Sequence, residues 1–454
     1  MLNLPNLKKL KIALLLIAVV ISIMAIFFIF PKNISRLWIF GLILLGNVYL
    51  WNSFKKVFRR NSGSPFYFFR VFYWFPEIMM VALLAIALFF RNVDAQNTFP
   101  SFVIGIAMMV FGAKIMAFLL IIFEFLTRIL SWISMSFVDG KILWKFPVPR
   151  KKRIIKASLY LFYFLFFLFN SGIFNIHRFE VKKEIVQTEF LPNAFDGLKV
   201  VQISDIHLVS WILPQKMEKV VQMINELNPD IVAFTGDMVS YKSSEMLPYI
   251  DVLSKVKAKY GVFAILGNHD YGDYVNWKNE EEKVQNFENL ISYYEQASWV
   301  LLRNENQRIY NADSSSSIVV AGVENWSSSS RFHAIGDAYL ALKNVSAEDF
   351  VIFLSHDPSH WEYLMKKNAP IDLTLSGHTH AMQFGIDCCG IKWSPVSWVY
   401  KYWAGLFVNE SSQRKQKLYV NVGLGTVGFV SRVGFLPEIT LLELRKDVDN
   451  QDTE

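Results

Sequence analysis

The sequence predicts a chain in two parts, an N-terminal α-helical membrane bundle of about five spans followed by an α/β sandwich. Three observations carry this. Long apolar runs crowd into roughly the first 175 of 454 residues. The remainder, about 280 residues of ordinary composition, is long enough to bury one full core. Within it, five short β-rich runs each end in Asp, Asn or His.

The apolar runs lie at residues 12–30, 37–51, 66–90, 102–123 and 157–174, each read as a bilayer-crossing helix. The first has a basic start in Lys8, Lys9 and Lys11. It exceeds the roughly 7–15 apolar residues of a signal peptide and lacks a small-residue cleavage site, so it reads as a retained helix. The second run is short, which leaves four spans as the alternative. Arg70 and Glu77 interrupt the third run and Lys114 the fourth. Arg70 is near enough to an end to snorkel, whereas Lys114 is too deep for that and its role stays open.

Loop charges set the orientation. The N-terminus is basic, as are the 52–65 loop (Lys55, Lys56, Arg59, Arg60) and the approach to the last span (Arg150 to Arg153). Residues 31–36 and 91–100 lack such clusters. Basic loops stay in the cytoplasm, so five crossings leave everything after residue 176 outside. The net charge of +7 mostly reports these loops, and the second part has no basic groove, so no nucleic-acid binding is expected. Cys388 and Cys389 are adjacent, which suits neither a relaxed disulfide nor a zinc site, and they read as packing residues.

The five runs in the second part repeat one gesture. "LKVVQISDIH" ends in Asp205 and His207, "PDIVAFTGD" in Gly236 and Asp237, and "YGVFAILGNHD" in Asn268, His269 and Asp270. "DFVIFLSHD" ends in His356 and Asp357, and "IDLTLSGHTH" in His378 and His380. Such runs suit strands buried on both faces, and helix-like residues 214–227 and 244–257 lie between some of them. Open α/β sheets place their sites at strand C-terminal ends. Asp, Asn and His are ligands for divalent metals, and five of the eight histidines fall in these clusters. A lone "GD" is usually a turn, but five clusters in order are hard to assign to turns alone. Gly236, Gly267 and Gly377 precede ligand candidates, where the backbone must turn sharply or approach an ion.

The ordered set DIH, GD, GNHD, SHDP and GHTH resembles the calcineurin-like metallophosphoesterase superfamily over roughly residues 195–445. The closing "YVNVGLGTVGFVSRVGFLPEITLLEL" resembles its membrane-linked bacterial phosphohydrolase branch, and the multi-span N-terminus resembles transmembrane proteins with a metallophosphoesterase domain. The resemblance implies a four-layer sandwich over 176–454 behind a membrane region at 1–175. It implies two divalent metal ions, manganese, iron or zinc, with Asp205, His207 and His380 on one, Asn268, His356 and His378 on the other, and Asp237 bridging. His269 is implied to contact phosphate or protonate the leaving oxygen, oriented by Asp270. Arg432 is a weaker substrate-binding candidate, with a structural ion pair to Glu438 as the alternative. Where relatives often carry an acidic residue three positions after GD, this chain has Ser240, which puts one supporting contact in doubt. His360 could face the same way as His356, or sit partly exposed beside Trp361; His177 and His333 are assigned nothing.

The activity implied is hydrolysis of a phosphoester. Residues 391–407 mix five Trp or Tyr with two Lys, suited either to a membrane interface or to packing on their own domain. With a domain tethered at the bilayer, they point to a lipid-linked or amphiphilic substrate. Residues 275–294 read as a charged helix, either a lid or a cover on the sheet, and 311–330 as two loops around one strand. With four spans, a cytoplasmic lipid-precursor pyrophosphatase becomes the alternative. A catalytically inactive sensor or scaffold is the reading of a different class. A transporter is disfavoured, because the spans show little internal polarity and no repeat.

Overall fold

The computed structural model describes residues 46–55, 67, 69–79, 98–138, 152–211, 213–410 and 414–447. The chain divides into two compact units, Met1–Asn170 and Ser171–Glu454.

In the first unit the span expected at 12–30 lies outside the described residues, and those at 37–51 and 66–90 are described only as helical residues 46–55 and 69–79. Two described helices are long and apolar enough to cross a membrane, within Phe102–Met135 and Lys152–Asn175. The first belongs to a 41-residue helix, Thr98–Val138, about 60 Å at 1.5 Å per residue. It overshoots the expected 102–123 because no proline interrupts it before Val138. Lys114, left open by the sequence, is buried: its ammonium donates to Glu77 and to the Tyr73 carbonyl, both at 2.6 Å. Asn47 donates to the same Glu77 oxygen at 3.0 Å. Lys114 and Glu77, from separate runs, thus neutralise each other inside the unit, the usual condition for charge at such depth. Arg70 is exposed.

The strands of the second unit, in chain order, begin with β1 (Glu180–Thr188), β2 (Leu198–Ile203), β3 (Ile231–Phe234), β4 (Val262–Ala264), β5 (Val300–Leu301), β6 (Glu305–Tyr310) and β7 (Ser317–Gly322). They continue with β8 (Val351–Leu354), β9 (Leu373–Ser376), β10 (Ile386–Cys388), β11 (Ile391–Trp393), β12 (Gly405–Asn409), β13 (Gln416–Val420) and β14 (Glu438–Lys446). Two six-stranded mixed sheets result, ordered β1-β14-β2-β3-β4-β5 and β12-β13-β9-β8-β7-β6, with β10-β11 as a separate hairpin. Strands β2 to β5 are mutually parallel, as are β7, β8, β9 and β13.

Alternation within the strands explains the layering. Val201, Ile203, Val232 and Phe234 pack against Met217, Val220, Val221 and Ile224 of the helix Lys216–Glu226. That helix sequence follows the i, i+3, i+4, i+7 spacing of an apolar stripe. The intervening Val200, Ile231, Ala233 and Phe263 face Ile318, Ile352, Leu354 and Leu375 of the other sheet. Val319, Ala321 and Phe353 meet Ala341 and Leu364 on that sheet's outer side. The order is helix, sheet, sheet, helix. A fully buried residue such as Phe263 contributes about 2–3 kcal/mol by leaving water.

Three local expectations change. Residues 244–257 hold only the short helix Ile250–Leu253 after two 3-10 turns, because Pro248 denies the backbone a donor. The charged helix begins at Glu280, capped by Asn279 accepting from the Glu282 amide at 2.9 Å. It buries Leu290 and Tyr294 against the sheet and is a cover, not a lid. Cys388 and Cys389 are exposed, not packing residues, because Cys389 and Gly390 form the hairpin turn with φ of 55° and 78°.

Candidate metal centre

All five polar clusters follow strand ends, but from both sheets. β2, β3 and β4 of one sheet deliver Asp205, His207, Asp237 and Asn268, and β8 and β9 of the other deliver His356, His378 and His380. The sequence suggested one common edge, whereas the site lies where the ends of two face-to-face sheets converge.

Backbone bonds lock the loops together. The amides of Asp205 and His207 donate to the carbonyls of Gly236 and Asp237 at 2.9 and 3.1 Å. The Gly377 amide donates to the His356 carbonyl at 2.9 Å. Asp205, His207, Asp237, His378 and His380 all have left-handed backbone, φ between 46° and 69°. Non-glycine residues rarely adopt it, and it aims these side chains inward at a conformational cost. At Gly267 a Cβ would strike the Asp237 carboxylate, and at Gly377 that of Asp205; only glycine lets backbone come so close.

Three groups of potential ligand atoms form: Asp205, His207 and His380; Asp237, His356 and His378; and His207, Asp237 and His269. His380 Nε2 is 3.2 Å from Asp205 Oδ1 and 3.1 Å from His207 Nε2. Asp237 Oδ2 lies 3.2 Å from His356 Nε2 and 3.5 Å from His207 Nε2, between the first two groups. His378 Nδ1 is 3.2 Å from His356 Nε2. Asn268 donates its amide to the Tyr274 hydroxyl at 2.9 Å, while its buried Oδ1 has no hydrogen-bond partner among the described residues.

These residues fit divalent cations. Buried oxygens with no partner are costly, and the Asn268 Oδ1 is one that a cation would satisfy. Burial drives the His207 imidazole well below its ordinary pKa, leaving it neutral with a lone pair. Burial also lowers His378. At His356 burial acts the same way, but the Asp237 carboxylate outweighs it and raises the pKa to about 10. Two buried carboxylates thus call for positive charge at this point, and proton and cation compete for the same nitrogen. The outer ring nitrogens are held as ligand histidines require. His356 Nδ1 faces the Thr235 carbonyl at 2.7 Å, and His207 Nδ1 the Ser240 hydroxyl at 3.1 Å. Ser240 therefore supplies the contact that its departure from the family pattern had put in doubt.

His269 is half-buried, its amide donating to Asp237 Oδ1 at 2.8 Å. Its Nδ1 meets the Ser240 carbonyl at 2.9 Å, so Ser240 rather than Asp270 orients the ring. Asp270 instead accepts the amides of Gly267, Asp237 and Val239 at 2.8 to 3.1 Å, holding two loops in register. A catalytic role for Asp270 therefore gives way to a structural one.

Arg432 also moves away from substrate. It is fully buried, and its guanidinium donates to the carbonyls of Val422, Gly423 and Gly425 while Nη2 lies 3.4 Å from His380 Nδ1. It is a clamp on the 422–425 loop; Glu438 bonds Tyr419 and Lys182 instead. His360 is buried, not partly exposed, stacking on Trp326 at 4.4 Å with Nδ1 2.8 Å from Ser355 Oγ. His333 pairs with Asp273 at 2.7 Å, and the His177 nitrogens have no hydrogen-bond partner among the described residues.

Several supporting contacts had no readable signal. Tyr400 meets His378 Nε2 at 2.9 Å, and Asp357 lies 3.8 Å from the same nitrogen. Tyr274 stacks on His269 at 4.2 Å. Glu245 accepts four amides, from Val209, Ser240, Tyr241 and Lys242. The aromatic richness of 391–407 and the GNHDYGDY context were the available hints, but neither fixes a partner.

The family model described as calcineurin-like phosphoesterase matches residues 198–382. The chain is 28% identical over 429 residues to a zebrafish (Danio rerio) protein named transmembrane protein with metallophosphoesterase domain, covering 90% of this chain and 89% of that one. It is 30% identical over 274 residues to the Bacillus subtilis protein named uncharacterized metallophosphoesterase YkuE, covering 59% of this chain and 86% of that one. A bovine (Bos taurus) protein with the same name as the zebrafish one is 27% identical, covering 90% of this chain and 88% of that one. Relatives so named and two apolar helices of spanning length associate the chain with a membrane. With three groups of potential metal ligands brought together at its strand ends, the chain belongs to the calcineurin-like metallophosphoesterases and is a phosphoester hydrolase.

Proposed function

We propose that the centre holds two divalent cations, manganese, iron or zinc, and hydrolyses a lipid-linked or amphiphilic phosphoester. Asp205, His207 and His380 would hold one cation, and Asn268, His356 and His378 the other, with Asp237 between them. The observation that carries this is the Asp237 carboxylate, within 3.5 Å of a histidine from each set. When bound, the pair would supply Lewis acidity toward phosphoryl oxygens and a water of lowered pKa.

The chain's own residues do the rest. Ser240 fixes two rings at once, His207 through its hydroxyl and His269 through its carbonyl. With Nδ1 so engaged, His269 presents Nε2 as the exchangeable position, and in its imidazolium form it donates that proton to the leaving oxygen. The Tyr274 ring stacked on it limits rotation. Asp270 keeps the Asp237 and Gly267 amides in place.

Residues 1–175 are proposed as a multi-pass membrane region, with the catalytic domain at 176–454 on the extracytoplasmic side. The lipid-linked substrate draws on that tethering and on Tyr400, which brings the aromatic 391–407 segment to His378.

The test is hydrolysis of an artificial phosphodiester by the full chain with manganese. His269→Ala should lower turnover by about 10²–10⁴ while leaving bound metal, measured by mass spectrometry, unchanged. Unaltered turnover would remove His269 from the mechanism. Reporter fusions after residue 180 decide the side; a cytoplasmic result would make a lipid-precursor pyrophosphatase the better reading.

A further inference from the structure

We propose that the catalytic unit docks onto the bilayer through one built surface, seated in the boundary between phospholipid headgroups and acyl chains. The surface is carried by the β10–β11 hairpin and the segments that brace it. Its exposed apolar side chains are Phe174, Met382, Ile386, Ile391, Trp398 and Phe429. Phe174 and Trp398 stand 86% and 78% exposed, far from the burial such rings usually reach. Single exposed apolar residues are common, but these sit on segments bonded into one assembly.

The bonds run as a chain. The Arg432 amide donates to the Gly172 carbonyl at 3.1 Å, and Asn175 Nδ2 to the Arg432 carbonyl at 2.9 Å. Val433 pairs with Phe384, donating to Gln383 O and accepting from the Gly385 amide, both at 2.9 Å. The hairpin starts at the next residue, Ile386. Gln383 Nε2 donates to the Phe429 carbonyl at 2.8 Å, and Trp398 meets Trp393 edge-on at 5.8 Å.

What identifies the occupant is continuity of the chain. Gly172–Asn175 is the direct continuation of the apolar helix Lys152–Ser171, and the apolar stretch Lys152–Asn175 includes both. The hairpin is therefore bonded to the turn that directly follows this apolar helix in the chain, and covalent continuity keeps it near the end of the helix. Trp among aliphatic side chains, with the exposed Lys401 close in sequence, is the composition that boundary favours.

Docking also orients the centre. Met382 is two residues past His380, and Trp398 is two before Tyr400, whose hydroxyl meets His378. A phosphoester held in the headgroup layer would then reach the metal ligands without leaving the membrane. This last step rests on the hydrolysis proposed above, whereas the docking rests only on the membrane reading of Lys152–Asn175.

The native thiols provide the probe. The full chain with Cys389→Ser keeps Cys388 as its one thiol and is labelled with a nitroxide in nanodiscs of phosphatidylglycerol and phosphatidylcholine. The reference is Glu226→Cys in a chain with both cysteines changed to serine. Oxygen should relax the Cys388 label more than a water-soluble nickel chelate does, and nickel access there should be several-fold below the reference. Equal nickel access at both sites would overturn the proposal. So would shielding accompanied by spin–spin broadening that disappears at one chain per disc, which would assign the surface to a second copy.

A second arm uses Ile391→Glu with Trp398→Ala. Hydrolysis of a phosphoester probe embedded in vesicles should fall by about tenfold or more, as loss of one buried side chain of that size implies, with a soluble artificial ester cleaved as before. An equal fall on both substrates would contradict docking. Should the parent cleave neither ester, the function would fail while the nitroxide result still decides the docking.

Discussion

Replacing Arg432 with Met separates two roles that sequence alone leaves tangled. The guanidinium is fully buried and bonds three carbonyls of the 422–425 loop, at 3.0 Å to Val422, 2.9 Å to Gly423 and 2.6 Å to Gly425. That loop in turn supports the candidate metal ligands, since the Leu424 and Gly425 amides donate to the carbonyls of Ser204 and Asp205 at 2.9 and 2.8 Å. Burial lowers the Arg432 pKa only to about 10, so the side chain stays charged at pH 7. Met fills similar volume but offers no donor, stranding buried carbonyls at about 1–3 kcal/mol each. Allowing for some relaxation, a loss of about 3–5 kcal/mol follows, close to what breaking a buried charged cluster costs. At about 2 °C per kcal/mol for a domain of this size, the catalytic unit should melt roughly 6–10 °C lower. The assay is thermal unfolding by intrinsic fluorescence, paired with steady-state kinetics on an artificial phosphoester at 20 °C. A clamp predicts the lowered melting point with KM nearly unchanged. An unchanged melting point with KM raised tenfold would refute the reasoning and return Arg432 to the substrate.

Two further outcomes follow from contacts at the centre and beside it. Ser240→Ala removes the hydroxyl from His207 Nδ1 but keeps the carbonyl that orients His269; metal affinity should fall by about 10–100-fold, read by titration against a competing chelator, and undiminished affinity would count against His207 as a ligand. Burial holds the His360 imidazole at about 3, against an ordinary 6.5, so between those values the unfolded chain binds a proton that the native chain does not. Stability on that account is complete above pH 6.5 and falls with acid at up to about 1.4 kcal/mol per pH unit. Urea unfolding at stepped pH should therefore show a shallower acid slope in His360→Phe than in the parent, and parallel slopes would exclude this source.

The candidate ligands were legible because each closes a strand whose apolar run is itself a signal. "DIH", "GNHD" and "GHTH" announce both a position in the fold and a chemistry. That they come from two sheets was not legible, since β3 and β8 read alike in sequence and pair with different neighbours. Arg432, Glu245 and Asp270 were misread or missed for another reason. Their bonds go to backbone atoms, which every residue carries, so no pattern of side-chain types marks the partner. Ser240 shows the same limit, because half of what it does comes from its carbonyl. The Lys114–Glu77 pair required knowing which helices adjoin, 37 residues apart in the chain.

The strand order β1-β14-β2 has a bearing on how the protein is made. Among the described residues β1 pairs only with β14, in parallel, and β14 closes the edge of β2 from the other side. Ribosomal synthesis delivers β14 after every other described strand. Until then β1 stays unpaired, and β2, whose far end carries Asp205 and His207, presents an open edge to any strand nearby. A chain ending before Glu438 forfeits two strands of this sheet, not one. Nascent molecules thus pass through an interval of vulnerability to mispairing and chaperone capture, ended by a nine-residue segment that acts as a closing wedge.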